Sequence, residues 1–296
     1  MTPFFILQQF ENYLSTEKRF SEHTCVAYKN DLNQFIEFAG LKNQDELKEV
    51  NHQLVRSWIV YLIDNEISNR SVNRKVSSLR TLFRWLQKQA LVDTNPMAKI
   101  KGPKTEKRLP TFLKSSDLEM GKVNALFQDD FDGIRDHLML EMFYQTGIRL
   151  SELISLKESD VTNVSIKVIG KRNKERIIPI TPTLFEKITL YRKQKHELAI
   201  QSTELFTLIN GKILYPKLVY RKINYYLSLV SSLDKKSPHV LRHTFATHML
   251  NNGAGLETLK DILGHASLSA TQVYTHSSFT QLNNIYSQAH PRGHKK

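Results

Sequence analysis

The chain reads as mainly α-helical, in two domains, with one small β-hairpin in the second. Apolar residues recur at helical spacing through residues 4 to 92 and again from 116 onward, and they alternate in the manner of a strand between residues 164 and 180. A proline-punctuated stretch of low apolar content, KIKGPKTEKRLP, separates the two helical series. At 296 residues the chain is long for one core and comfortable for two. The boundaries that follow are 1–98 for a helical domain, 99–113 for a linker and 114–296 for the larger domain.

Each element has its own signal. Ile6, Phe10, Tyr13 and Leu14 form the apolar face of a first helix; Cys25, Tyr28, Leu32, Phe35, Ile36 and Ala39 that of a second; Leu54, Trp58, Tyr61 and Leu62 that of a third. In a fourth, Val72, Val76, Leu79, Phe83, Leu86 and Ala90 share one side, and Arg70, Arg74, Arg80, Arg84 and Lys88 lie opposite. No acidic residue balances that stripe at the i+4 positions, so it is a candidate phosphate-contacting face as well as a solvated one. Beyond the linker, residues 116–126 and 133–146 read as helices, Gly147 is a C-cap, and Leu150, Leu153, Ile154 and Leu156 mark a short buried helix. Val164, Ile166 and Val168, then Ile178 and Ile180, make a hairpin whose turn carries Lys171. Ser237 and Pro238 open a helix before His239, and Gly264 closes the next one.

Composition narrows the partners. The 42 Lys and Arg exceed the 29 Asp and Glu by 13, which favours a polyanion such as nucleic acid. No stretch approaches the ~20 apolar residues that span a bilayer, and MTPFFILQQFENYL lacks a basic leader, so a cytoplasmic protein is expected. The single cysteine, Cys25, excludes an internal disulfide and a cysteine-based zinc cluster; its apolar helical position predicts a buried thiol.

The densest chemistry lies between His239 and Tyr274. A tyrosine hydroxyl has an unperturbed pKa of ~10, so Tyr274 attacks phosphorus only where the developing charge is neutralised. His239 and Arg242 are three apart on one helix and reach one ligand together. Arg149 would hold a phosphate from the other side, or would simply pair with Glu152. Lys171 and Lys174 are both suited to protonate a leaving oxygen, and spacing does not choose between them. His239, His243, His248, His265 and His276 raise a metal site, but Val240 stands where a zinc protease motif needs a glutamate.

The stretches NRKVSSLRTLFRWL, TGIRLSEL, IGKRNKERIIPI, HVLRHTFATHML and LGHASLSATQVYTH resemble the tyrosine recombinases of the phage-integrase family, most closely the bacterial Xer type. The resemblance spans nearly the whole chain. It implies a SAM-like helical core-DNA-binding domain followed by an α+β catalytic domain. It implies catalysis by Arg149, Lys171, His239, Arg242 and His265, with Tyr274 as nucleophile, and so selects Lys171 over Lys174. The implied reaction is metal- and ATP-independent exchange of DNA strands through a 3′-phosphotyrosyl link, with no cofactor. Its biological use would be resolution of chromosome dimers at cell division, or else integration or inversion of a mobile element. A type IB topoisomerase shares the cleavage chemistry, and a non-catalytic DNA-binding protein would lack this residue set. The implied partners are duplex DNA carrying a specific site, further protomers of a homo- or hetero-tetramer joined through the C-terminal helix, and a DNA translocase as activator. Leu282, Ile285 and Tyr286 are the candidate docking residues of that helix, or an intramolecular cap.

Overall fold

A computed structural model describes residues 5–105, 111–170, 174–264 and 276–293. The chain divides into two compact units, Met1–Arg108 and Leu109–Lys296.

Among the described residues the first unit holds four α-helices, α1 (Phe5–Thr16), α2 (Glu22–Ala39), α3 (His52–Asp64) and α4 (Asn69–Lys88). Ser21, Asn51 and Ser68 cap the last three by accepting backbone amides, which satisfies donors that a helix start leaves open. Phe10, Leu14, Phe35, Trp58, Val76, Leu79, Phe83 and Leu86 form the buried centre, with Phe35 and Trp58 edge to face at 5.1 Å. The buried side of α3 is rotated from the one its apolar residues predict. Val55 and Ile59 are buried beside Trp58 and Leu62, whereas Leu54 is half-buried and Tyr61 is exposed, its ring 5.0 Å from that of Phe38. Cys25 is half-buried, not enclosed. Ala90 lies past the end of α4 in the left-handed region, at φ +54°, and is exposed.

The basic stripe of α4 is also changed by tertiary contacts. Asp31, wholly buried on α2, pairs with Arg74, accepts from Lys75 Nζ at 3.1 Å and accepts from Ser78 Oγ at 2.8 Å. Arg74 therefore has the acidic partner that α4's own sequence lacks. Arg80 is committed too, donating from Nη2 to the Ile100 carbonyl at 2.9 Å. Residues 100–104 run along α4, held further by Asn73 on Pro103 O at 2.8 Å and Asn69 on Lys104 O at 2.9 Å. A Cβ at Gly102 would lie 1.7 Å from Asn73 Oδ1, so a larger residue there would displace the Asn73 side chain from its bond to Pro103 O. Ile100 is buried in the first unit's core and Leu113 in the second's, so both ends of the stretch expected to be a tether are packed.

In the second unit, a 3-10 turn (Ser115–Leu118) and the short α5 (Met120–Asn124) stand where one helix was expected. Asp117 Oδ2 turns back to accept the Lys114 amide at 3.0 Å, which closes the first turn early. The central element is α6 (Phe131–Thr146), started by Asp130 accepting from Gly133 N at 2.7 Å and ended by Gly147 at φ +60°. It is buried on nearly all sides, packed by α8 (Pro182–Glu197), α9 (Pro216–Val230) and α10 (Pro238–Asn251). The remaining elements are α7 (Leu150–Ile154), β1 (Ser165–Ile169), β2 (Glu175–Pro179), α11 (Leu256–Leu263) and α12 (His276–Ala289). β1 and β2 pair antiparallel with Val168 opposite Arg176 and Ile166 opposite Ile178. Val164 precedes β1 and is exposed, unlike the Ile166 and Val168 it was expected to join.

The C-terminal helix closes this chain's own core. Leu282 and Tyr286 are buried and Ile285 packs against them, with Tyr286 Oη donating to Gln145 O at 3.0 Å. Beyond α12, Arg292 pairs with buried Glu141 at 3.1 Å and donates to Leu118 O at 2.8 Å. Burial would raise the Glu141 carboxyl, but hydrogen bonding to His137 and the Arg292 charge outweigh it and hold the pKa down to about 2. Burial also depresses His290, to about 3, so it stays neutral in the fold.

These shifts set an acid limit on stability. The unfolded chain takes up a proton at each histidine near pH 6.5, while folded His290 does so only near pH 3, so its contribution is lost progressively as pH falls between those values. The Glu141 contribution is complete above about 4.5 and lost as pH falls toward 2. Melting temperatures measured from pH 8 downward should therefore begin to fall near pH 6.5 and fall more steeply below 4.5. A melting temperature unchanged from pH 7 to pH 4 would contradict the buried neutral histidine.

Candidate active site

The site forms where three elements of the second unit meet the C-terminal end of α11. A helix C-terminus presents carbonyls without intrahelical partners and carries partial negative charge. Here three consecutive carbonyls each accept from a different arginine. Ile262 O takes Arg176 Nε at 2.7 Å, Leu263 O takes Arg242 Nη2 at 2.6 Å, and Gly264 O takes Arg149 Nη2 at 3.2 Å. Gly264, the C-cap at φ +63°, supplies the left-handed turn that aims them.

Each arginine arrives from a separate element. Arg149 is the N-cap of α7, just past the Gly147 turn that ends α6. Arg242 lies on the first turn and a half of α10, which Ser237 caps and Pro238 opens as the sequence predicts, and its Nη1 donates to Gly147 O at 2.5 Å. Arg176 comes from β2. One carboxylate serves the group: Glu152 accepts Arg149 Nη1 at 2.8 Å and the Arg149 amide at 2.9 Å, and it pairs with both ends of the Arg176 fork at 2.9 and 2.7 Å. The two readings of Arg149 are therefore compatible, since it pairs with Glu152 and also faces the shared site.

Three cations against one anion leave positive charge in excess. Arg242 registers it: burial first, then repulsion from Arg149 and Arg176, lowers its pKa to about 10, so it remains charged at neutral pH. Burial acts to raise Glu152, but Arg176 and Arg149 overcome it and bring the carboxyl to about 2. A cluster so charged and partly open to solvent is suited to an anion with several oxygens, such as a phosphodiester.

His239 is exposed at the start of α10 and shares with Arg242 and His243 the wall of a cleft of about 450 Å³, whose apolar side is Leu256, Leu259 and Leu263. His248, by contrast, is structural. Its Nε2 must donate to the Leu113 carbonyl at 3.0 Å, which leaves Nδ1 to accept the Tyr144 hydroxyl at 3.1 Å. Lys171, His265 and Tyr274 lie outside the described residues. Gly170 and Gly264, which precede Lys171 and His265 in the chain, both border Arg176. Arg176 and Glu152 were not singled out from sequence as parts of the site. The signal for Arg176 was present, because it shares strand parity with Ile178 and so faces inward.

This site stands on a fold that other proteins share. The model of the phage integrase family matches residues 116–281, and that of the family's N-terminal SAM-like domain matches residues 7–90. The chain belongs to the phage integrase family and is a site-specific tyrosine recombinase, an enzyme that breaks and rejoins DNA. Among its relatives, the tyrosine recombinase XerC of Chlorobaculum parvum is 36% identical over 96% of this chain and 94% of its own length. The XerC of Staphylococcus aureus strain MSSA476 is 37% identical over 98% of both. In fold, the chain is similar to the XerH site-specific recombinase bound to a palindromic difH substrate in a post-cleavage complex, with TM-score 0.72 and 22% identity over 95% of this chain and 84% of that one. Among the described residues, no helix is long and apolar enough to cross a membrane.

Proposed function

We propose that this recombinase resolves chromosome dimers at cell division, acting in the cytoplasm as a homo- or hetero-tetramer on duplex DNA, with a DNA translocase as activator. The observation that carries the chemistry is the convergence of Arg149 and Arg242, from different elements, on one helix terminus beside His239. Both guanidiniums hold the non-bridging oxygens of the scissile phosphate, and both gain as charge builds in the transition state. Tyr274 attacks phosphorus and His239 assists removal of its proton. The bond from phosphorus to the deoxyribose 5′-oxygen breaks, Lys171 protonates that oxygen, and His265 donates to the phosphate. The product is a 3′-phosphotyrosyl link and a free 5′-hydroxyl. A 5′-hydroxyl from the partner strand then attacks the same phosphorus and Tyr274 leaves, so the number of phosphoester bonds is unchanged and no ATP is needed.

A nicked duplex carrying a candidate site tests this reading, because loss of the short strand past the nick prevents rejoining. The chain should accumulate as a covalent adduct on such DNA, and Tyr274→Phe should form none while binding the same DNA. Adduct formation by Tyr274→Phe would remove the nucleophile assignment.

The first unit grips the duplex through exposed cations of α4, among them Arg70, Arg84 and Lys88. Arg74 and Arg80 belong to the proposed face as well, but they are also tied to Asp31 and Ile100 O, so their loss weakens the fold together with the grip. Replacing Arg70, Arg84 and Lys88 together with alanine should lower DNA affinity at all sequences and flatten the dependence of log affinity on log salt by ~0.9 for each phosphate contact removed. An unchanged salt slope in a titration from low to moderate salt would place the DNA elsewhere. Transfer of α12 between protomers in the tetramer would require the cis contacts of Tyr286 and Arg292 to open first.

A further inference from the structure

Arg176 is a charged residue in a place where the strand pattern calls for an apolar one. The register sets it opposite Val168 and two residues from Ile178, and it is 3% exposed. A buried guanidinium without partners is strongly unfavourable, and because apolar residues in place of a whole buried ion pair are often as stable, the pair by itself is weak evidence of a stabilising role. Its bonds point instead to a positional role. Nη1 and Nη2 take the two oxygens of Glu152 at 2.9 and 2.7 Å, and Nε takes Ile262 O at 2.7 Å. The fork fixes the plane of the carboxylate, and that carboxylate holds Arg149 by its amide at 2.9 Å and by Nη1 at 2.8 Å. Because Arg176 engages both Glu152 oxygens, Arg149 makes a single side-chain contact there and keeps N–H donors for a phosphate. Gly264 helps to admit the side chain, since a Cβ there would stand 3.0 Å from Arg176 Cδ.

We propose that Arg176 is a positioning residue for strand cleavage, which orients Arg149 through Glu152 and ties the β1–β2 hairpin to the C-terminus of α11. The proposal rests on Arg149 acting as a phosphate clamp. Arg176 does not touch the phosphate itself. Without it, Glu152 is free to take Arg149 with both oxygens and to draw the guanidinium away from the reacting group.

The test is a double-mutant cycle read on the rate of covalent adduct formation with the nicked substrate, using Arg176→Gln, Arg149→Lys and the two combined. Arg176→Gln should bind DNA like the unsubstituted chain and form adduct ~10- to 100-fold more slowly, as misplacement of a clamp by about 1 Å does. Combined with Arg149→Lys it should add little further loss, since both changes spoil one contact. Losses that multiply in the double variant, or adduct formation by Arg176→Gln at the unsubstituted rate, would overturn the proposal. Should Arg176→Gln fail to fold, Arg176→Lys keeps the charge without the fork and should melt normally yet cleave slowly; an unchanged rate there overturns it equally. Absence of adduct from the unsubstituted chain would reject the recombinase site assignment, and this proposal with it.

Discussion

Arg242→Ala will abolish strand exchange while leaving DNA binding within a few-fold of the unsubstituted chain. Loss of one pre-set donor to a developing oxyanion costs a catalysed step ~10²- to 10³-fold. A complete exchange needs several cleavages and rejoinings, so the losses compound. The structure adds a second reason. Arg242 bridges Gly147 O, at the turn leading to Arg149, and Leu263 O, at the end of α11, so its removal loosens the frame as well as removing the proposed clamp. Lysine at this position retains the charge but cannot bridge two carbonyls while facing a phosphate, so Arg242→Lys should also be severely impaired. Adduct yield on a nicked substrate and affinity by gel shift check both statements. Recombination by Arg242→Ala at a rate near that of the unsubstituted chain would remove Arg242 from the chemistry.

The second large effect concerns stability. Glu152→Gln leaves Arg149, Arg176 and Arg242 around a neutral amide, and removing one member of a buried ion pair costs about 3–5 kcal/mol. For a unit of this size, each kcal/mol lowers the melting temperature by ~2–4 °C, so the second unit should melt roughly 6–20 °C lower. Sulfate or another multivalent anion should restore part of the loss by occupying the charged site, and should do less for the unsubstituted chain. Calorimetry distinguishes the units, since the first does not contain the substitution. A shift smaller than about 2 °C would mean that solvent already screens the three arginines.

The Arg242 and Glu152 results derive from one arrangement, cations and a carboxylate taken from water and held at a helix end, whereas the pH limit comes from Glu141 and His290, buried where the end of the chain packs on α6. Their legibility in the sequence differs. His239 and Arg242 stood out together because they lie three apart on a helix opened by Ser237 and Pro238, whereas Arg149 was chosen over a simple pair with Glu152 only through the family resemblance. Glu152 was visible only as a salt-bridge partner for Arg149. That it also holds Arg176, 24 residues away, depends on the hairpin folding back beside α7. The stripe on α4 was legible as a stripe, but Asp31, 43 residues before Arg74, was not.

The sequence by itself determined the ends of α6 and α11 at Gly147 and Gly264, the start of α10 at Ser237 and Pro238, the apolar side of most helices, and the place of the β1–β2 hairpin. Caps and periodicities act over three or four residues, so they are written locally. Tertiary structure alone decided which charges are paired within the fold and which stay exposed. It turned α3 toward Val55 and Ile59, gave Arg74 a buried partner, and folded α12 onto its own core. It also assembled three arginines on three successive carbonyls at the end of α11 and its C-cap. Such choices follow from burial and pairing between residues far apart in the chain, where electrostatic strength depends on what else has left water.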